Sequence, residues 1–230
     1  MPRFKRGKNL DAWKSNRSEA GKGKLRIVGG KFRGRQIDYS GDQVTRPMKD
    51  NIREALFNLV GGWVKDKAVL DLFAGTGAMG LEALSRGAAK ALFVERHFPT
   101  VRIIKENVQQ LDPELNVEVH ASDTFFWVRN FLKSPETWPT EPWIVFCCPP
   151  YSFYIDRPED VLKMINSLID VAPENSIFVV ESDARFDHRK LPNSEKWSVR
   201  KYSPALVSVL KMKPKPADET NGETETQLGQ

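Results

Sequence analysis

Cysteine is scarce: the 230 residues contain two, and they are neighbours, Cys147 and Cys148. Adjacent cysteines give neither a disulfide framework nor a zinc-finger spacing, which excludes small secreted scaffolds and zinc modules. Long apolar runs are also missing, and none approaches the roughly 18 residues a bilayer span needs. Met1–Leu10 is basic, but no apolar stretch follows it, so no signal peptide is expected and a cytoplasmic location is. What is present is ordinary for a globular chain: 40% hydrophobic and 28% charged residues. The length fits one medium domain with extensions, large enough to bury a core without disulfides.

Charge is unevenly spread. The net charge is +5, yet Met1–Arg35 alone holds twelve basic residues against two acidic ones. The rest of the chain is therefore acidic. A basic arm on an acidic body suits a polyanion, nucleic acid before membrane surface. The plainer alternative is a solubilising arm.

Residues 1–23 are rich in charge, Gly, Ser and Asn, and are expected to be disordered. Leu25–Val28 and Arg35–Ile37 read as a short hairpin carrying Lys31, Arg33 and Arg35. Met48–Leu59 has helical spacing of Ile52, Leu56 and Leu59, ended by Gly61-Gly62. From Lys67 onward strands and helices alternate, with strands expected at 68–73, 91–95, 117–120, 143–147 and 176–181. Two further strands, 197–202 and 206–212, follow without a helix between them. This order predicts a doubly wound, mostly parallel α/β sheet closed by an antiparallel hairpin. The aromatics Phe125, Phe126 and Trp127 are expected in the core, and residues 213–230 form a polar tail expected to be disordered.

The strand Val69–Phe73 runs into Ala74-Gly75-Thr76-Gly77-Ala78-Met79-Gly80, a G-x-G-x-x-G spacing between a strand and a helix. Such a turn lets backbone approach a ligand closely and aims amides at it. Glu95 follows Gly77 by eighteen residues, at a strand end where a carboxylate can accept ribose hydroxyls. No G-K-[ST] follows the glycines, so a P-loop is excluded. Asp71 would repel a pyrophosphate but suits a ligand with a positive amine, as in the methionine part of S-adenosylmethionine.

The stretch Asp71–Ala88 closely resembles the cofactor motif of class I methyltransferases, and most of all that of the RsmD family. That family methylates the exocyclic amine (N2) of a guanine in small-subunit (16S) ribosomal RNA. Arg26–Arg35 is similar to its basic hairpin, Arg46–Asn58 to its helix before the sheet, and Ile144–Tyr151 to the segment carrying its D-P-P-[YF] motif. The resemblance covers about residues 25–212. It implies a seven-stranded methyltransferase domain over 64–212, preceded by an RNA-binding hairpin-and-helix extension over 24–63. It implies S-adenosylmethionine as cofactor and no metal. Asp71, Phe73, Ala74, Gly75, Thr76 and Gly77 would surround its methionine part, Glu95 its ribose and Asp123 its adenine, while Asp123 also suits a helix N-cap. Asp50, with Arg53 and Glu54, would help close the pocket. Met48 stands where the family usually has Thr. Lys31, Arg33, Arg35 and Arg46 would grip RNA phosphates. The partner would be ribosomal RNA or an assembling small subunit, the protein a monomer and no membrane involved.

Cys148, Pro149, Pro150 and Tyr151 fall at the catalytic motif, but related amine methyltransferases carry Asp or Asn at position 148. That acceptor grips the amine hydrogens and orients the nitrogen lone pair, and a thiol accepts weakly. One missing acceptor costs on the order of 1–3 kcal/mol, roughly ten- to a hundredfold in rate. Three readings follow: backbone carbonyls suffice, or the domain binds RNA as an assembly factor without methylating it, or Cys148 is a covalent nucleophile. The last is disfavoured because in carbon-five methyltransferases the nucleophile usually follows the prolines. An amine or amide methyltransferase acting on DNA or protein shares the P-P-Y motif. Tyr151 would stack on an extruded base, and Cys147 alternates away into the core.

Overall fold

A computed structural model describes residues 23–40 and 47–214. The expectations for the basic arm, for Arg46 and for most of the polar tail lie outside these residues.

Nine strands and six helices are described. They are β1 (Gly23–Arg26), β2 (Gln36–Tyr39), α1 (Asp50–Val60), β3 (Ala68–Asp71), α2 (Ala78–Ser85), β4 (Lys90–Glu95), α3 (Phe98–Leu111), β5 (Val117–Ala121), α4 (Thr124–Phe131), β6 (Trp143–Cys147), α5 (Phe153–Asp156), α6 (Pro158–Val171), β7 (Ile177–Asp183), β8 (Trp197–Tyr202) and β9 (Ala205–Lys211). β1 and β2 form a separate antiparallel pair, and the other seven strands form one sheet in the order β5-β4-β3-β6-β7-β9-β8. β3 through β7 are parallel, and β9 runs antiparallel between β7 and β8. This is the doubly wound, mostly parallel sheet closed by an antiparallel hairpin that the strand order predicts.

The central strands are buried on both faces, so they read as continuous apolar runs rather than alternations. Successive residues still go to opposite cores. Val69, Phe146 and Val179 pack with α1, α2 and α3, whereas Leu70, Val145, Cys147 and Val180 pack with α4 and α6. The chain leaves β3 toward β4 and β5, then returns to β6 on β3's other side. That reversal opens a crevice at the carboxyl ends of β3 and β6, where open α/β sheets bind ligands.

Every residue of α2 is buried. The sheet covers one side and the N-terminal extension the other. The hairpin loop docks on the end of α2: the Val28 amide donates to Glu82 Oε2 at 2.8 Å, and the Phe32 amide to Ser85 Oγ at 2.9 Å. On α3, the buried Asn107 side chain exchanges two 2.8 Å hydrogen bonds with the Asp38 backbone. Arg53 of α1 is fully buried and donates to the Arg26 carbonyl and, at 2.9 Å, to Asp50. Its Nε lies 3.6 Å from Glu82, which also accepts from Arg86 at 2.8 Å. Glu82 is thus the shared anion between the extension and the sheet domain.

Three details differ from the sequence expectation. The first hairpin strand ends at Arg26 because Glu82 takes the Val28 amide out of any ladder. Gly61, at φ +64°, ends α1 as expected, but the chain continues into a 3₁₀ segment, Gly61–Val64, that buries Val64. Phe126 is 54% exposed, because the Asp123 carboxylate caps its amide and places it on the outer side of the first turn of α4.

Glu82→Ala would leave the buried Arg53 with Asp50 as its remaining counter-ion among the described residues and would take the acceptor from the Val28 amide. A loss of about 3–5 kcal/mol is expected in urea unfolding, and a loss below about 1 kcal/mol would contradict the anchoring role.

Candidate active site

The carboxyl ends of β3, β4, β6 and β7 surround a cavity of about 610 Å³, within the range of small-molecule sites. Its wall includes Asp71, Phe73–Thr76, Glu95, Asp123 and the 148–151 segment, together with Glu181. Residues 80 or more positions apart in sequence therefore meet in one space.

The glycine turn builds one side. Gly75 and Gly77 have φ of +50° and +74°, a region costly for residues with a Cβ. A Cβ on Gly77 would also stand 3.1 Å from Ile104. The turn is held from within: Asp71 Oδ2 accepts the Gly80 amide at 3.0 Å, and Glu95 Oε2 accepts the Gly75 amide at 2.9 Å. Glu95 Oε1 accepts from the His97 amide at 2.7 Å. Burial pushes the Asp71 carboxyl up to about 7; the Gly80 amide opposes this and the neighbouring Glu95 charge adds to it. A buried acid so destabilised as an anion is poised to meet a cation.

On the far side Asp123 does two jobs the sequence allowed. Its side chain caps α4 through the Phe126 amide at 3.0 Å, and it lines the cavity. Thr124 beside it donates to the Leu72 carbonyl and ties α4 to the end of β3.

The 148–151 segment forms the mouth opposite the glycine turn. Cys147 points into the core, and Cys148 faces the cavity. Burial drives the Cys148 thiol well above its usual range, reinforced by the nearby Glu181 and Asp71 carboxylates. At neutral pH it is a protonated thiol, neither a good acceptor nor a thiolate nucleophile. Pro149 is buried, and the Tyr151 hydroxyl donates to Glu181 Oε1 at 2.7 Å. Phe73, Phe125 and Phe153 make a triangle of rings with centroids 6.0 Å apart, and Arg157 lies 4.2 Å over Phe125.

Not every expected residue reaches the cavity. Asp50 is held by Arg53 and Arg26, Arg53 is buried against Glu82, and Glu54 is exposed. From this part of the chain Pro47, Met48, Lys49 and Ile52 line it instead. On the hairpin, Lys31 pairs with Asp112 at 2.9 Å, and Arg35 donates to the carbonyls of Gln110 and Leu111 at the end of α3. Both are tethers to α3, whereas Arg33 is exposed with no ion-pair partner among the described residues. Glu181 carried no signal in the sequence beyond closing an apolar strand.

Comparison with known proteins places this geometry. The family model described as Conserved hypothetical protein 95 matches residues 25–211. The Haemophilus influenzae protein named ribosomal RNA small subunit methyltransferase D is 31% identical over 78% of this chain and 88% of its own length. The solved structure of yhhF from Escherichia coli is 28% identical, with a TM-score of 0.65 over 83% of this chain and 99% of that one. The T. thermophilus 16S rRNA N2 G1207 methyltransferase, solved with AdoMet and guanosine, shares the fold at 17% identity, with a TM-score of 0.61 over 84% of this chain and 50% of that one.

Because the folded pKa of Asp71 exceeds its unfolded value of 3.8, the folded state holds a proton that the unfolded state releases. Asp71 therefore favours folding at low pH, and this contribution fades as pH rises from about 4 through 7. Asp71→Asn, which keeps an acceptor for Gly80, is expected to raise stability at pH 8 by roughly 1–3 kcal/mol and to flatten its pH dependence. Denaturant unfolding at pH 5 and pH 8 checks this, and a less stable variant at pH 8 would refute it.

Proposed function

The chain belongs to the RsmD family, whose model carries the description Conserved hypothetical protein 95, and from that premise we propose that it is an S-adenosylmethionine-dependent methyltransferase acting on the exocyclic amine, N2, of a guanine in small-subunit ribosomal RNA. The observation that carries this reading is one cavity lined by Asp71, Glu95 and Asp123 together with the P-P-Y segment.

The residues fit the cofactor. Asp71 offers a buried carboxylate for its ammonium group, Glu95 a carboxylate for ribose hydroxyls and Asp123 an acceptor for the adenine amine. Gly75 leaves the backbone bare at the cavity wall, while Gly77, which does not reach the cavity, turns the chain into α2 beside Ile104. When bound, the cofactor supplies an electrophilic methyl carbon on a sulfonium sulfur.

The protein's own contribution is positional. Tyr151, fixed by its hydrogen bond to Glu181, presents a ring for the target base to stack against, worth roughly 1–3 kcal/mol. Pro149 and Pro150 stiffen the segment so that its carbonyls stay aimed. Phe73 and Phe153 exclude water from the reacting end. Arg33, Arg46 and the basic arm contact RNA phosphates, and Lys31 and Arg35 hold the hairpin that carries Arg33 against α3.

The observation favouring a second reading is Cys148. If nothing replaces the missing acceptor, the domain is a ribosome-assembly factor that binds RNA without turnover.

Labelled methyl transfer to small-subunit RNA, and to subunits lacking the modification, separates the two. Incorporation by the native protein, abolished in Asp71→Ala and shifted to a higher RNA KM in Arg33→Ala, is the expected result. Intact RNA binding without incorporation would establish the assembly-factor reading.

A further inference from the structure

β6 and β7 are parallel neighbours, with Cys147 opposite Val180. One residue further along, Cys148 and Glu181 are therefore side by side, and the Glu181 backbone hydrogen-bonds the Cys148 thiol. Both residues line the cavity. The strand next to the defective motif position thus brings a carboxylate to the place where the family's own carboxylate or amide is missing.

Resting on the functional reading above, we propose that Glu181 is the acceptor for the guanine amine, a catalytic residue that takes over the task Cys148 cannot perform. Three features make it suited to this. Its Oε1 accepts from the Tyr151 hydroxyl at 2.7 Å, so the carboxylate is bound to the residue against which the base stacks. Its backbone carbonyl accepts from the buried Tyr154 hydroxyl at 3.0 Å, which fixes the end of β7 from the α5 side. Its second oxygen has no hydrogen-bond partner among the described residues and belongs to a cavity-lining side chain. Burial raises its pKa above the ordinary carboxylate value, as expected of an acid held out of water for a purpose.

The balance is simple. The amine nitrogen donates one hydrogen to the free Glu181 oxygen, which turns its lone pair toward the methyl carbon. The new N–C bond forms as the carbon–sulfur bond breaks, its electron pair staying on sulfur. The methylated nitrogen then sheds its extra proton to Glu181, which passes it to water.

Two variants test this. Glu181→Met removes both oxygens at similar length. Glu181→Gln keeps an acceptor for Tyr151 only by turning its NH₂ toward the amine, and it carries the test should Glu181→Met fail to unfold cooperatively. Calorimetry with S-adenosylhomocysteine present compares guanosine with inosine, which lacks the amine. The native protein is expected to prefer guanosine roughly tenfold or more, and both variants to lose the preference. Single-turnover methyl transfer should fall roughly ten- to a hundredfold with the cofactor Kd unchanged, and Cys148→Asp added to Glu181→Met should recover at least tenfold. If the native protein methylates RNA and both variants keep its rate and its preference, this inference falls alone. If the native protein methylates nothing, the functional reading falls and this inference with it.

Discussion

The buried carboxylate of Asp71 and the amide of Gly80 form the contact on which the rest of the molecule depends. Asp71 ends β3, the central strand, and Gly80 lies in the first turn of α2. Their hydrogen bond closes the strand-to-helix turn and so sets where α2 leaves the sheet. Gly80 has no Cβ, and one placed there would stand 2.3 Å from the Phe93 ring of β4. The helix can lie this close to the sheet only with glycine at that position. Once α2 is so placed, its far end presents Glu82 and Ser85 to the N-terminal extension, and the turn at its near end brings Gly75 and Thr76 to the cavity wall. One contact thereby positions both the N-terminal extension and the turn that lines the cavity.

The acids around the cavity are costly to the empty fold. Asp71 and Glu181 are both raised by burial, and neither forms an ion pair among the described residues. The anions of α2 and α3 that hold the extension, by contrast, are neutralised within the fold: Glu82 by Arg53 and Arg86, Asp112 by Lys31. Among the described residues these structural carboxylates have cationic partners, whereas the cavity carboxylates Asp71, Glu95, Asp123 and Glu181 have amide or hydroxyl partners. Unpaired acids at strand ends are understandable where a cationic cofactor and a hydrogen-bond-donating amine are to be received.

Much of this was legible in the sequence because local chemistry marked it. Glycines and prolines punctuated almost every element, and the strand order followed from alternation with helices. Asp71, Glu95 and Asp123 could be placed at strand ends without coordinates. What escaped reading depended on distant pairing. Lys31 and Arg35 look like free cations in the hairpin, but their partners lie 75 to 81 residues away on α3 and just beyond it. Asp50 looks like a pocket acid until the buried Arg53 claims it. Glu181 follows four apolar residues of β7 like any strand terminus, and only the β6–β7 register sets it beside Cys148. The resemblance sets Asp or Asn where Cys148 stands, and the sheet register brings the Glu181 carboxylate beside it.

The central claim is that cofactor and guanine meet in this one cavity, with the amine turned toward β7. A crystal structure of the protein with S-adenosylhomocysteine and guanosine tests it most directly. The account predicts adenosine between Glu95 and Asp123, the base against Tyr151, and the exocyclic amine within about 3 Å of a Glu181 oxygen. Guanosine bound elsewhere, or seated with its amine turned away from Glu181, would contradict it.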